Sequence, residues 1–100
     1  MSRVIFASHG GLSKGMKDSV SMIVGDLAKD VETYSLLPGQ NPEDFYQEVL
    51  KEAKESEEQI VILCDIKGGS VHTALSKLAV LDNVMVFSGM NMGLVLDAVM

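Results

Sequence analysis

Four short runs of apolar, strand-forming residues recur along the chain, and each is followed by residues of helical periodicity. Val4 to Ala7, Gln59 to Cys64 and Val84 to Phe87 are nearly continuous in apolar character; Val31 to Leu37 is more mixed but keeps strand composition. A strand with one wet face alternates, so continuous runs of this length predict parallel strands covered on both faces. The order βαβαβαβα therefore predicts one α/β domain, a parallel sheet with helices on both faces. Right-handed crossovers restrict the strand order. The expectation is a doubly wound sheet in the order 2-1-3-4, with its switch point between strands 1 and 3.

The helices are read from spacing and caps. Leu12, Met16, Val20, Ile23 and Leu27 stand at offsets of four, four, three and four, which predicts the buried stripe of a first helix. Asn41-Pro42-Glu43-Asp44 predicts a second: Asn as N-cap, Pro at the first position, two acids against the positive end of the dipole. Phe45, Val49, Leu50 and Ala53 form its inward face, and Glu48, Glu52, Glu55, Glu57 and Glu58 read as a solvated outer face. A third helix fits Ser70 to Val80, with Ser70 as N-cap and Val71, Ala74, Leu75 and Leu78 inward. Leu94, Val95, Ala98 and Val99 begin a fourth, and the pattern still runs at Met100, which suggests a piece of a longer polypeptide.

Composition excludes several classes of partner. The 100 residues carry a formal net charge of −6, which argues against nucleic acid or an anionic membrane surface, since both need clustered Lys and Arg. The single cysteine, Cys64, rules out an internal disulfide and reads as a buried strand residue. No apolar run is long enough to span a bilayer, and Met1-Ser2-Arg3-Val4 does not open a signal-peptide core. An intracellular, reducing compartment is the expectation.

In open α/β sheets, ligands bind beyond the carboxyl ends of the strands, at the switch point. His9 ends strand 1 and Asp65 directly follows strand 3, so the topology brings them to the two sides of one crevice. A carboxylate that accepts from one imidazole nitrogen fixes the tautomer and leaves the other nitrogen free as base, ligand or nucleophile. Gly68-Gly69-Ser70, before the third helix, offers backbone N–H groups and a positive dipole end; Gly10 and Gly11 do the same before the first. Such a set suits a phosphoryl group, whose transfer is mostly positioning and charge stabilisation. His72 falls in the first turn of the third helix, as a wall of the site or an exposed side chain. No short ligand spacing supports a metal, and neither a G-x-G-x-x-G nor a Walker A pattern is present.

These motifs resemble one family. Val4-Ile5-Phe6-Ala7-Ser8-His9-Gly10 is similar to the first strand and phosphorylated histidine of the enzyme IIA domain of the mannose class of the bacterial phosphoenolpyruvate-dependent sugar phosphotransferase system. Pro38-Gly39-Gln40-Asn41 resembles the turn before its second helix, Asp65-Ile66-Lys67-Gly68-Gly69-Ser70 its D-x-x-G-G-S loop, and Gly89-Met90-Asn91-Met92 its G-x-N segment. The resemblance implies that His9 accepts a phosphoryl group from the phosphocarrier protein HPr and passes it to a IIB domain. Asp65 would hold the imidazole by one nitrogen, and Ser70 with the Gly68 and Gly69 amides would contact the phosphate, Gly10 lying alongside. It also implies a cytoplasmic protein with no cofactor, a homodimer in full-length form, and an indirect link to a IIC/IID membrane complex. Residues 1–100 would be a single IIA-type domain lacking the family's C-terminal segment. Two other readings stand beside the carrier: a IIA-like regulatory domain of a transcriptional activator controlled by His9 phosphorylation, and a small-ligand module without phosphotransfer.

Overall fold

The computed structural model describes residues 2–100. The elements follow in the order β1 (Ser2–His9), α1 (Leu12–Val24), β2 (Glu32–Leu36), α2 (Pro42–Lys54), β3 (Gln59–Cys64), α3 (Ser70–Leu75), β4 (Val84–Phe87) and α4 (Met92–Val99). Short 3-10 turns extend α1 over Gly25–Ala28 and α3 over Ser76–Val80. All strand pairs are parallel, in the order β2-β1-β3-β4, as the alternation of elements predicts.

The continuous apolar character of the strands has the expected cause. Ile5, Ala7, Ile60, Ile62 and Cys64 face α2 and α3, where they meet Val49, Ala53, Val71, Leu75 and Leu78. Phe6 and Leu63 point the other way, toward Val20 of α1 and Val95 of α4. The register pairs Ala7 with Cys64, so the ends of β1 and β3 finish side by side.

The caps decide where helices start. Asn41 caps α2 by accepting from Glu43 N–H at 3.0 Å, with Pro42 as first residue. Ser70 does not cap α3. Gly69 holds the cap position, Ser70 is the first helical residue, and its hydroxyl is used elsewhere.

The face of α1 also differs from the periodic reading. Leu12, Ile23 and Leu27 are exposed, while Ser13 and Val20 are buried. Ser13 explains the rotation. Its N–H donates to the buried Ser8 hydroxyl at 2.8 Å, and its own hydroxyl donates to Tyr34 C=O at 2.9 Å. A satisfied small polar residue therefore takes the place against the sheet that the apolar spacing assigns to Leu12. Leu27 lies beyond the helix, since α1 stops at Val24 and Gly25 turns with φ +58.

Among the described residues, no helix is long and apolar enough to cross a membrane.

Candidate functional site

His9 is the last residue of β1, and its neighbours are fixed by the turn that follows. Gly10 has φ +56, a conformation that side chains beyond glycine rarely adopt, and this swings the chain away from the sheet. Gly10 N–H still donates to Leu36 C=O at 2.8 Å, which anchors the turn to the end of β2. The His9 imidazole stands about half exposed at the top of the sheet.

Asp65, one residue past β3, reaches it across the switch point. One carboxylate oxygen, Oδ2, accepts both His9 N–H and the ring at Nδ1, each at 2.8 Å. The other, Oδ1, accepts Ile66 N–H at 2.9 Å. Burial pushes the Asp65 carboxyl up, but the hydrogen bonds from His9 and Ile66 outweigh it and hold the group below the usual carboxylate range. Asp65 is therefore a charged acceptor, and the proton between the two groups sits on Nδ1.

That assignment leaves a lone pair on Nε2. Ser70 Oγ lies 3.0 Å from it and donates its proton there. The imidazole is thus gripped at one nitrogen by a charge and touched at the other by a hydroxyl that can rotate away. Gly69 lets the loop come close: a Cβ at that position would lie 3.2 Å from His9 Cε1 and 2.7 Å from Ile66 Cγ2.

The glycine amides are less free than their sequence positions suggest. Gly68 N–H donates to His72 Nδ1 at 3.1 Å, and Gly69 N–H to Ile66 C=O at 3.3 Å. The first turn of α3 has orphan amides by its nature, those of Ser70 and Val71 foremost. His72 is half-buried and turned toward the loop. A signal for this existed in the sequence. His72 is the third helical residue, the position whose side chain reaches back to the cap N–H in a capping box; here it reaches one residue further, to Gly68.

Cys64, next to Asp65, is fully buried, and burial, with the Asp65 charge adding to it, pushes its thiol up to about 12. It is an inert core residue. Among the described residues no group of three or more His, Cys, Asp or Glu could hold a metal ion.

An open groove of about 430 Å³ runs beside His9, walled by Gly10, Leu36, Leu37, Pro38 and Gln40. Leu12, Leu37 and Ile66, on the segments that follow β1, β2 and β3, carry exposed apolar side chains at this end of the sheet. Another hollow is lined by Val4, Leu27, Asp30 and Val99.

Comparison with known proteins adds the family. Residues 3–100 match the family EIIA-man, described as "PTS system fructose IIA component". The sorbose-specific EIIA component of the phosphotransferase system of Klebsiella pneumoniae is 33% identical over 101 residues, which span 99% of this chain and 73% of that protein. Among solved structures, the PTS IIA protein associated with the fucose utilization operon of Streptococcus pneumoniae superimposes with a TM-score of 0.80 at 30% identity, over 98% of this chain and 76% of that one. The phosphotransferase system component EIIA of Streptococcus agalactiae gives a TM-score of 0.84 at 25% identity, over 99% and 77%.

Proposed function

The chain belongs to the mannose-class EIIA family of phosphotransferase-system IIA components, and on that premise we propose that His9 is its phosphoryl acceptor. The membership itself implies phosphoryl transfer in sugar uptake. The observation that carries the residue assignment is the two-sided hold on His9: Asp65 at Nδ1 and a displaceable Ser70 hydroxyl at Nε2.

A phosphohistidine on the phosphocarrier protein HPr enters the groove, and the His9 Nε2 lone pair attacks phosphorus. The new P–N bond forms at Nε2 as the bond to the donor imidazole breaks, and the donor ring leaves with the electron pair. His9 keeps its proton on Nδ1 and its ring becomes cationic, opposite the Asp65 carboxylate. Ser70 turns its O–H from Nε2 to a phosphoryl oxygen. Gly10, Gly68 and Gly69 wall the place this group takes, with Ser70 as the side-chain donor. The same exchange in the opposite sense hands the phosphoryl group to a histidine of a IIB domain, and through it to a IIC/IID membrane complex.

Three features support a protein donor rather than a small one. His9 is half exposed, its groove is open, and Leu12, Leu37 and Ile66 offer apolar contact around it. We read residues 1–100 as a single IIA-type domain, working in the cytoplasm and pairing as a homodimer in full-length form.

The test is direct. Incubated with phosphoenolpyruvate, enzyme I and HPr, the wild type should gain an acid-labile phosphoryl group, and His9→Ala should gain none. Absence of label on the wild type, or equal label on the variant, overturns the reading.

A further inference from the structure

The loop that carries Ser70 to His9 is itself held by a second histidine. Gly68 sits at φ +79 in the middle of that loop. Its N–H donates to His72 Nδ1 at 3.1 Å, and its C=O accepts from the Thr73 hydroxyl at 3.4 Å. Thr73 N–H closes the first helical bond on Gly69 C=O at 2.8 Å. The first turn of α3 therefore reaches back and fastens the residues immediately before it.

We propose that His72 is a positioning residue for transfer at His9: its Nδ1 latches Gly68 and so sets the placement of Ser70 Oγ on the His9 nucleophile. The proposal rests on the reading of His9 as phosphoryl acceptor. The chemistry of the latch fixes its tautomer. A backbone amide can only donate, so Nδ1 carries the lone pair and the His72 proton resides on Nε2. His9 is in the opposite tautomer, with its proton on Nδ1 facing Asp65. The two histidines of this chain thus do different work: one presents Nε2 to the phosphoryl group, the other uses Nδ1 to hold the loop that attends it.

A latch of this kind matters because of what lies between the two rings. From Gly68 the chain passes through Gly69, which packs against His9 Cε1, to Ser70, which touches His9 Nε2. Releasing Gly68 N–H frees the Lys67–Gly68 peptide to turn about the ψ of Lys67 and the φ of Gly68, a residue that has no side chain to limit it. Ser70 Oγ then samples positions away from Nε2, and the donor for the incoming phosphoryl oxygen is no longer in place when the bond forms. The loss falls on the transfer step and not on recognition of the partner.

Two substitutions separate this role from mere packing. In asparagine, Oδ1 occupies the position of His72 Nδ1 along the side chain, so His72→Asn keeps an acceptor for Gly68 N–H, whereas His72→Ala removes it. The expected results are a fall in the single-turnover rate from phospho-HPr of about fivefold to tenfold for His72→Ala, the worth of one net hydrogen bond, with an unchanged KM for phospho-HPr. His72→Asn should transfer at close to the wild-type rate. In the unphosphorylated protein, nitrogen-15 spectra should show the Nε2–H tautomer at His72, and the Gly68 amide resonance should move in His72→Ala but stay near its place in His72→Asn.

The spectra need no phosphotransfer, so they answer even where His9 takes no label. A His72 ring protonated on Nδ1 overturns the latch, as does a Gly68 amide indifferent to His72→Ala. A wild-type transfer rate in His72→Ala, or a fall in His72→Asn equal to that in His72→Ala, overturns the positioning role. Should His72→Ala fail to fold, the tautomer of the wild type and the rate of His72→Asn still decide.

Discussion

Replacing Asp65 by asparagine alters the site's hydrogen-bond arithmetic while barely altering its volume. Oδ2 accepts His9 N–H and His9 Nδ1–H, and Oδ1 accepts Ile66 N–H. An asparagine brings one acceptor oxygen and one donor group to these donors. With its oxygen in the Oδ2 place, its NH2 faces the Ile66 amide. Flipped, it satisfies Ile66, but its NH2 meets His9. The ring can then bond only by accepting at Nδ1, which moves its proton to Nε2 and removes the lone pair that attacks phosphorus on the proposed reading. Either arrangement sets donor against donor, at about 1–3 kcal/mol. Losing the charge beside a ring that turns cationic removes a further ~1–2 kcal/mol, the difference between a charged and a neutral hydrogen bond. Asp65→Asn should therefore fold, and slow transfer from phospho-HPr by roughly 10²–10³-fold. Rapid-quench single-turnover labelling measures the rate, and circular dichroism checks the fold. A folded variant that transfers at the wild-type rate would refute the reasoning and remove Asp65 from the mechanism.

Two further outcomes follow from the same contacts. In Gly69→Ala the new methyl lies 2.7 Å from Ile66 Cγ2 and 3.2 Å from His9 Cε1. The exposed Ile66 side chain can swing outward, but the His9 ring is pinned by Asp65; transfer should fall about tenfold while stability changes by no more than ~1 kcal/mol. An unaltered rate would mean that the loop does not press on the ring. The depressed Asp65 carboxyl gives a pH dependence with a definite sign. The folded state favours the ionised form, so the associated stability is fully present above the unfolded carboxylate pKa of about 4 and is lost as pH falls through the lower folded value. Urea unfolding of wild type and Asp65→Asn should show a stability gap that narrows as the pH drops below about 4; a gap independent of pH would mean that another interaction carries it.

The sheet was legible because its signal is redundant. Ile5 and Phe6 face opposite helix layers, and a run that stays apolar at both allows only a doubly covered strand. The crossover rule then brought His9 and Asp65 together with no appeal to side-chain detail. What the pattern could not carry was polar burial. Ser13 reads as a solvent residue in any hydrophobic periodicity, yet two hydrogen bonds to the sheet make it a buried contact of α1 beside Val20 and turn Leu12 and Ile23 outward. Ser70 failed as a cap for a related reason. A hydroxyl one residue before Val71 suits either the amides of its own helix or the ring of His9, and only the tertiary fold sets the second within 3.0 Å. His72 is ambiguous in sequence because only the tertiary fold turns Gly68 N–H back toward α3.

The pairing of Ala7 with Cys64 has a consequence for molecules that have not finished folding. His9 and Asp65 are 56 residues apart, and the register between β1 and β3 joins them. A slip of one residue turns the slipped strand's side chains to the wrong face, and the carboxylate leaves the ring. On the proposed reading, then, competence to take a phosphoryl group is acquired in a single event, when the central pair of strands closes. A nascent or misregistered chain still contains His9, yet without the Asp65 contact it takes a phosphoryl group far more slowly. If His9 is the acceptor, the topology of the sheet itself limits the drain of high-energy phosphate into unfinished molecules.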